Sequence, residues 1–116
     1  MTIEEFYAVI GGDYQEALTR LMKDSLIERF VLKFENDPSF KELSDFLAAQ
    51  NTEEAFRAAH TLKGVCRNLA FAKLGDSASE ITEMLRAGNL EEALTYFPTV
   101  QADYDTVIST LAVLKG

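Results

Sequence analysis

Apolar residues recur along this chain at spacings of three and four, with almost no strict alternation, and that period predicts helices throughout and no strand. Ile3, Phe6, Tyr7, Val9 and Ile10 form a short leading helix that ends at Gly11-Gly12. Tyr14, Leu18, Leu21, Met22, Leu26, Ile27, Phe30, Val31 and Phe34 continue as a wide stripe between the N-cap Asp13, with Glu16 three residues on, and the breaker Asp37-Pro38. One long central helix is expected there, with Met22 as core filler. Ser39 with Glu42 repeats the capping pattern ahead of Phe40, Leu43, Phe46 and Leu47, a shorter helix that stops at Gln50-Asn51.

Asn51 with Glu54 opens the next helix, whose apolar side is Ala55, Phe56, Ala59, Leu62, Cys66 and Leu69. Another runs from about Ala72 through Leu74, Ala78, Ile81, Met84 and Leu85 to the stop at Gly88. Asn89 with Glu92 caps a last helix on which Leu90, Leu94, Phe97, Tyr104, Ile108, Leu111 and Leu114 keep one register across Pro98. A continued stripe predicts a kink at the proline, not a break. Four substantial amphipathic helices joined by short connections, with two minor ones, pack most economically as an all-α, antiparallel, up-and-down four-helix bundle carrying short additional N-terminal helices. With no linker-like stretch and no repeat, residues 1–116 are expected to be a single domain.

Composition narrows the function classes. At 116 residues, 47% hydrophobic and 26% charged, the chain has the balance of a globular domain able to bury a full core. Its formal charge of −8 argues against general attraction to nucleic acid or to an anionic membrane, so any partner contact must be local. No apolar run approaches the ~20 residues that span a bilayer. The acidic start reads as neither a signal peptide nor an anchor. The single cysteine, Cys66, belongs to an apolar stripe and reads as a buried core thiol; the cytoplasm is the expected compartment and a monomer the default.

Residue choice departs from that of a plain bundle in one stretch. From Ala55 to Gly75 there is no acidic residue, while Arg57, Lys63, Arg67 and Lys73 are cationic, a local reversal of sign that suggests an anion-facing surface. On a helix, the only histidine, His60, lies away from the apolar face, and Lys63, Gly64 and Arg67 follow it three, four and seven residues on along one exposed stripe. Glycine inside a helix costs about 1 kcal/mol relative to alanine, so Gly64 implies that something outside must approach closely. A neutral, exposed imidazole is a competent nucleophile, and a lysine one turn away can neutralise a phosphoryl group. No phosphate-cradling loop, second metal-ligating histidine or convergent carboxylate pair accompanies it. The stripe suits a phosphoryl carrier better than an enzyme. Phe56, one turn before His60 at the edge of the apolar face, suits an apolar docking ring; Arg57 and Lys73 suit general surface charge that steers a negative partner.

The run Ala58-Ala59-His60-Thr61-Leu62-Lys63-Gly64, continued as Val65-Cys66-Arg67-Asn68-Leu69-Ala70-Phe71 with Leu74 and Ile81 beyond, resembles the histidine-containing phosphotransfer (HPt) domain of bacterial multistep phosphorelays. The resemblance covers essentially the whole chain. It implies a four-helix bundle in which His60 Nε2 takes a phosphoryl group from the aspartate of one response-regulator receiver domain and passes it to another. In that reading Lys63 is the phosphate-side cation and Gly64 the clearance for the docking receiver. Arg67 joins them by helical spacing alone, and Phe56, Arg57 and Lys73 complete a partner-binding set. The resemblance further implies receiver domains and hybrid histidine kinases as partners, no cofactor in this chain, and Mg²⁺ in the partner receiver domain.

Two residues depart from the family pattern: Val65 replaces a small residue after the glycine, and Ala70 stands where a glycine is common in the turn. The chemotaxis-type kinase domain that carries phosphate shares the His-x-x-Lys-Gly core, but with no ATP-binding motif here a free-standing transfer protein without kinase activity is favoured. An unphosphorylated helical module that only docks a receiver is the reading from another class, and an independent hydrolase is a third.

Overall fold

The computed structural model describes residues 1–116, which form seven α-helices and a single 3-10 turn: α1 Ile3–Ile10, α2 Tyr14–Leu21, α3 Asp24–Lys33, the 3-10 turn Phe34–Asn36, α4 Ser39–Ala48, α5 Thr52–Leu69, α6 Ala72–Arg86 and α7 Leu90–Lys115. Helices α4 to α7 pack in chain order, α4 on α5, α5 on α6 and α6 on α7, with α4 returning to α7 to close a helical bundle. The short helices α1 to α3 lie on it, α1 against α7 and α3 against α5 and α7. One cluster of 27 buried apolar residues runs from Ile3 to Leu111 and ties all of these elements together.

The capping residues set most boundaries as the sequence implied. Asp13, Asn51 and Asn89 each accept a hydrogen bond from the backbone N–H three residues on, and Gly88 leaves α6 with a positive φ of 75°. Helix α7 runs unbroken through Pro98 for 26 residues.

Between Asp13 and Asp37 the expected long helix is two. Met22 takes a left-handed φ of 71° and closes α2, and Lys23 is extended ahead of α3. At 100° per residue Ala17 and Ile27 lie about 80° apart around a straight helix. That separation would fit a single helix, as α5 buries Ala58 and Ala59 about 100° apart; here Ala17 and Ile27 are each fully buried, one on either side of the break. Met22 is 82% exposed and no part of the core, and Phe30 is 41% exposed. The cap of α4 also differs from expectation. Ser39 is itself buried in the first turn, and its N–H donates to Asp37 Oδ1 at 2.9 Å, so the aspartate supplies the capping oxygen.

The segment after α1 folds back on the α5–α6 turn. The Tyr7 hydroxyl donates to the Leu69 carbonyl at 2.6 Å, the Asp13 N–H to the Ala70 carbonyl at 2.9 Å, and the Lys73 N–H to the Gly11 carbonyl at 3.2 Å. Helix α6 has no side-chain cap, so the Gly11 carbonyl takes one of the N–H groups that helix starts leave over. Ala70 holds the C-cap of α5 in the left-handed region at φ 58°, the position where the sequence lacked a glycine. Gly12 permits the close approach: a Cβ there would lie 2.6 Å from Cδ2 of the buried Tyr7 ring.

Candidate functional site

Helix α5 carries the candidate residues. Its inner face buries Ala55, Ala58, Ala59, Leu62, Cys66 and Leu69, which turns His60, Gly64 and Arg67 outward and leaves Lys63 half-buried. The four stripe residues therefore share one face, as their spacing requires. A Cβ at Gly64 would meet nothing within 4 Å, so nothing inside the protein accounts for the missing side chain. Gly75 of α6 serves a different purpose. It is buried against α5, where an added Cβ would lie 3.4 Å from Cys66 Cβ, and the small residue lets the two helices approach.

The cations of this stretch are not equally free. Arg57 pairs with Glu53 at 3.1 Å and Glu54 at 2.9 Å, Arg67 reaches Asp76 at 3.3 Å, and Lys73 lies 3.9 Å from Asp103. The run without acidic residues thus ends within reach of carboxylates on either side and across the bundle, and the expected basic surface is largely offset. Lys63 has no such carboxylate partner. Lys73, beside the Gly11 carbonyl and α7, belongs to the end of the bundle where the N-terminal segment docks.

Phe56 is half-buried, and its ring is stacked on the imidazole of His60, with centroids 5.9 Å apart and planes 20° from parallel. The guanidinium of Arg86, from the last turn of α6, lies 4.9 Å from the Phe56 centroid. Sequence reading missed Arg86. Only the antiparallel pairing of α5 and α6 brings residues 56 and 86 together. Val65 lies off the stripe, half-buried on the side of α3, where it lines a shallow groove with Phe30, Phe34, Asn68 and Leu69.

Buried in the core, Cys66 has its thiol pKa pushed up to about 12 by desolvation, so it stays protonated and unreactive at neutral pH. No group of three or more His, Cys, Asp or Glu side chains is placed to hold a metal ion. None of the surface depressions is lined by His60, Lys63 or Gly64. The site is an open helix face, not a cleft that could enclose a small substrate.

A family model described as the Hpt domain matches residues 26–110, from α3 through most of α7. The chain belongs to the Hpt domain family. Membership implies phosphotransfer in two-component signalling, carried out by domains that bear the phosphoryl group and interact with receiver domains and kinases. The helical bundle agrees with that assignment. Comparison with curated proteins and with solved structures gives no match. Helices α1 and α2 precede the segment that defines the Hpt domain here, although both are packed into its core through Ile3, Phe6, Tyr7, Ile10 and Ala17. No helix is long and apolar enough to cross a membrane.

Proposed function

We propose that this Hpt domain is a phosphorelay intermediate that accepts a phosphoryl group on His60 from the aspartyl phosphate of one receiver domain and delivers it to the aspartate of another. The observation that carries the reading is the outward face shared by His60, Lys63 and Gly64, with open space where the Gly64 side chain would be. In the transfer the Nε2 lone pair of a neutral imidazole forms the P–N bond while the acyl P–O bond breaks and the aspartyl carboxylate leaves. The reverse exchange loads the next receiver. Lys63 lies one turn from His60 and balances charge on the phosphoryl oxygens, and Gly64 lets the partner backbone come close.

In this reading the remaining catalytic groups belong to the receiver, which brings the aspartate and Mg²⁺. Phe56 and Arg67 border the contact. Arg57 and Lys73, both engaged with carboxylates, contribute to association more than to chemistry. The protein acts as a monomeric carrier without kinase activity of its own, in the cytoplasm.

Incubation with a phosphorylated receiver domain or with phosphoramidate, followed by intact mass and acid-lability measurements, tests this. One added phosphate, labile in acid, stable in alkali and missing in His60→Gln, is the expected result. A folded wild-type protein that takes up no phosphate from several competent donors would leave only an unphosphorylated docking bundle.

A further inference from the structure

The hydrogen bonds around this stretch of α5 join Arg57 to Glu53 and Glu54 and the Thr61 hydroxyl to the Arg57 carbonyl, and none of them engages the imidazole of His60. What lies against that imidazole is the Phe56 ring one turn earlier, near parallel at 5.9 Å. Phe56 is itself held. Arg86 sits over it at 4.9 Å, and the Arg86 Nε donates to both carboxylate oxygens of Glu83 at 3.2 Å. A chain of contacts therefore runs from Glu83 through Arg86 and Phe56 to His60, joining the last turn of α6 to the middle of α5.

We infer that Phe56 is a positioning residue for the His60 imidazole and that Arg86 anchors it. The inference rests on His60 being the phosphoryl acceptor. Stacking occupies a ring face and leaves both ring nitrogens unengaged, so it can fix orientation without competing for the Nε2 lone pair, as a hydrogen bond at that atom would. On a helix a histidine has two common χ1 wells and a roughly two-fold χ2, about four orientations in all. A stack that selects the reactive one raises its population up to about fourfold, and its removal slows phosphoryl uptake by the same factor.

This role is separable from a docking role because a small donor has no interface to lose. Uptake from phosphoramidate is measured for the wild type and for Phe56→Leu, Phe56→Tyr and Arg86→Gln, together with the proton resonances of the His60 ring. Phe56→Leu is expected to react about two- to fourfold more slowly and to lose the ring-current displacement of the His60 resonances. Phe56→Tyr restores both, and Arg86→Gln, altered only at an exposed side chain, moves both part of the way. A Phe56→Leu protein that matches wild type with phosphoramidate and keeps its His60 resonances overturns the positioning role alone, even if transfer from a receiver has slowed. A wild-type protein that takes up no phosphate overturns the functional reading and this role with it.

Discussion

Gly64→Ala is expected to make the protein more stable and a poorer relay. Glycine inside a helix is about 0.8–1.0 kcal/mol worse than alanine, through the backbone freedom lost on folding. A substitution realises that gain only if the new methyl displaces nothing, and here nothing beyond its own turn of helix lies within 4 Å of its position. Gly64 is also exposed, so no buried contact changes sign. The full ~1 kcal/mol should appear, as a rise of about 3–6 °C in Tm for a domain of this size. Urea unfolding should show a higher midpoint at unchanged slope. Against a partner whose contact is packed as closely as a protein interior, the same methyl is an overpacking defect of about 1–3 kcal/mol, or at least about a fivefold loss in transfer from a phosphorylated receiver. Uptake from phosphoramidate should not change. A Gly64→Ala protein less stable than wild type would show that α5 is constrained at this point in a way the packing does not reveal. One that is more stable and still exchanges phosphate with receivers at the wild-type rate would refute the clearance role.

Tyr7→Phe removes the buried hydroxyl that donates to the Leu69 carbonyl, and should lower unfolding free energy by about 1–2 kcal/mol in urea titrations; an unchanged midpoint would mean the segment contributes nothing through this bond. Stability should fall as pH rises from about 9 toward 12. The unfolded Cys66 thiol ionises near its ordinary value of 9.0, whereas the folded one is held protonated up to about 12. Over that window the unfolded chain binds fewer protons, which gives a decline of at most about 1.4 kcal/mol per pH unit from this group. Cys66→Ala should be less stable at neutral pH yet lose stability more slowly above pH 9, as read by urea titrations across that range. Ala70→Gly should change stability by less than about 1 kcal/mol: relief of the left-handed backbone is worth roughly 1–2 kcal/mol, and it is opposed by about 0.8 for the buried methyl and roughly 0.5–1 for unfolded-state freedom. A loss well above that in thermal melts would show that the methyl packs better than its size suggests.

The helices were legible wherever a short polar residue stands at their start. Asn51 and Asn89 fix the two longest helices, and the three- and four-residue spacing places His60, Lys63 and Gly64 on one outward face without any tertiary knowledge. The break at Met22-Lys23 was not legible, because neither residue is a glycine or proline and the apolar pattern runs straight through it. It shows only in the backbone, where Met22 turns left-handed and Lys23 is extended. The ionic surroundings of the site divide the same way. Glu53 and Glu54 lie four and three residues before Arg57 and could have been paired with it, whereas Asp76, Asp103 and Arg86 reach the stripe or its neighbours only once α6 and α7 have folded onto α5.

The bond from Tyr7 to Leu69 spans 62 residues. During synthesis the first helix therefore emerges long before its binding surface exists, and it can dock only after the α5–α6 turn has left the ribosome. Its apolar residues Phe6, Tyr7 and Ile10 must stay uncovered through that interval. Closing a loop of this length costs several kcal/mol of chain entropy, which the late contacts of α1, four buried apolar side chains among them, must offset together. The first helix should be among the last parts of the molecule to lock. A fusion placed close to Thr2, which caps that helix through the Glu5 N–H, would load this late step before it touched the face of α5 that carries His60.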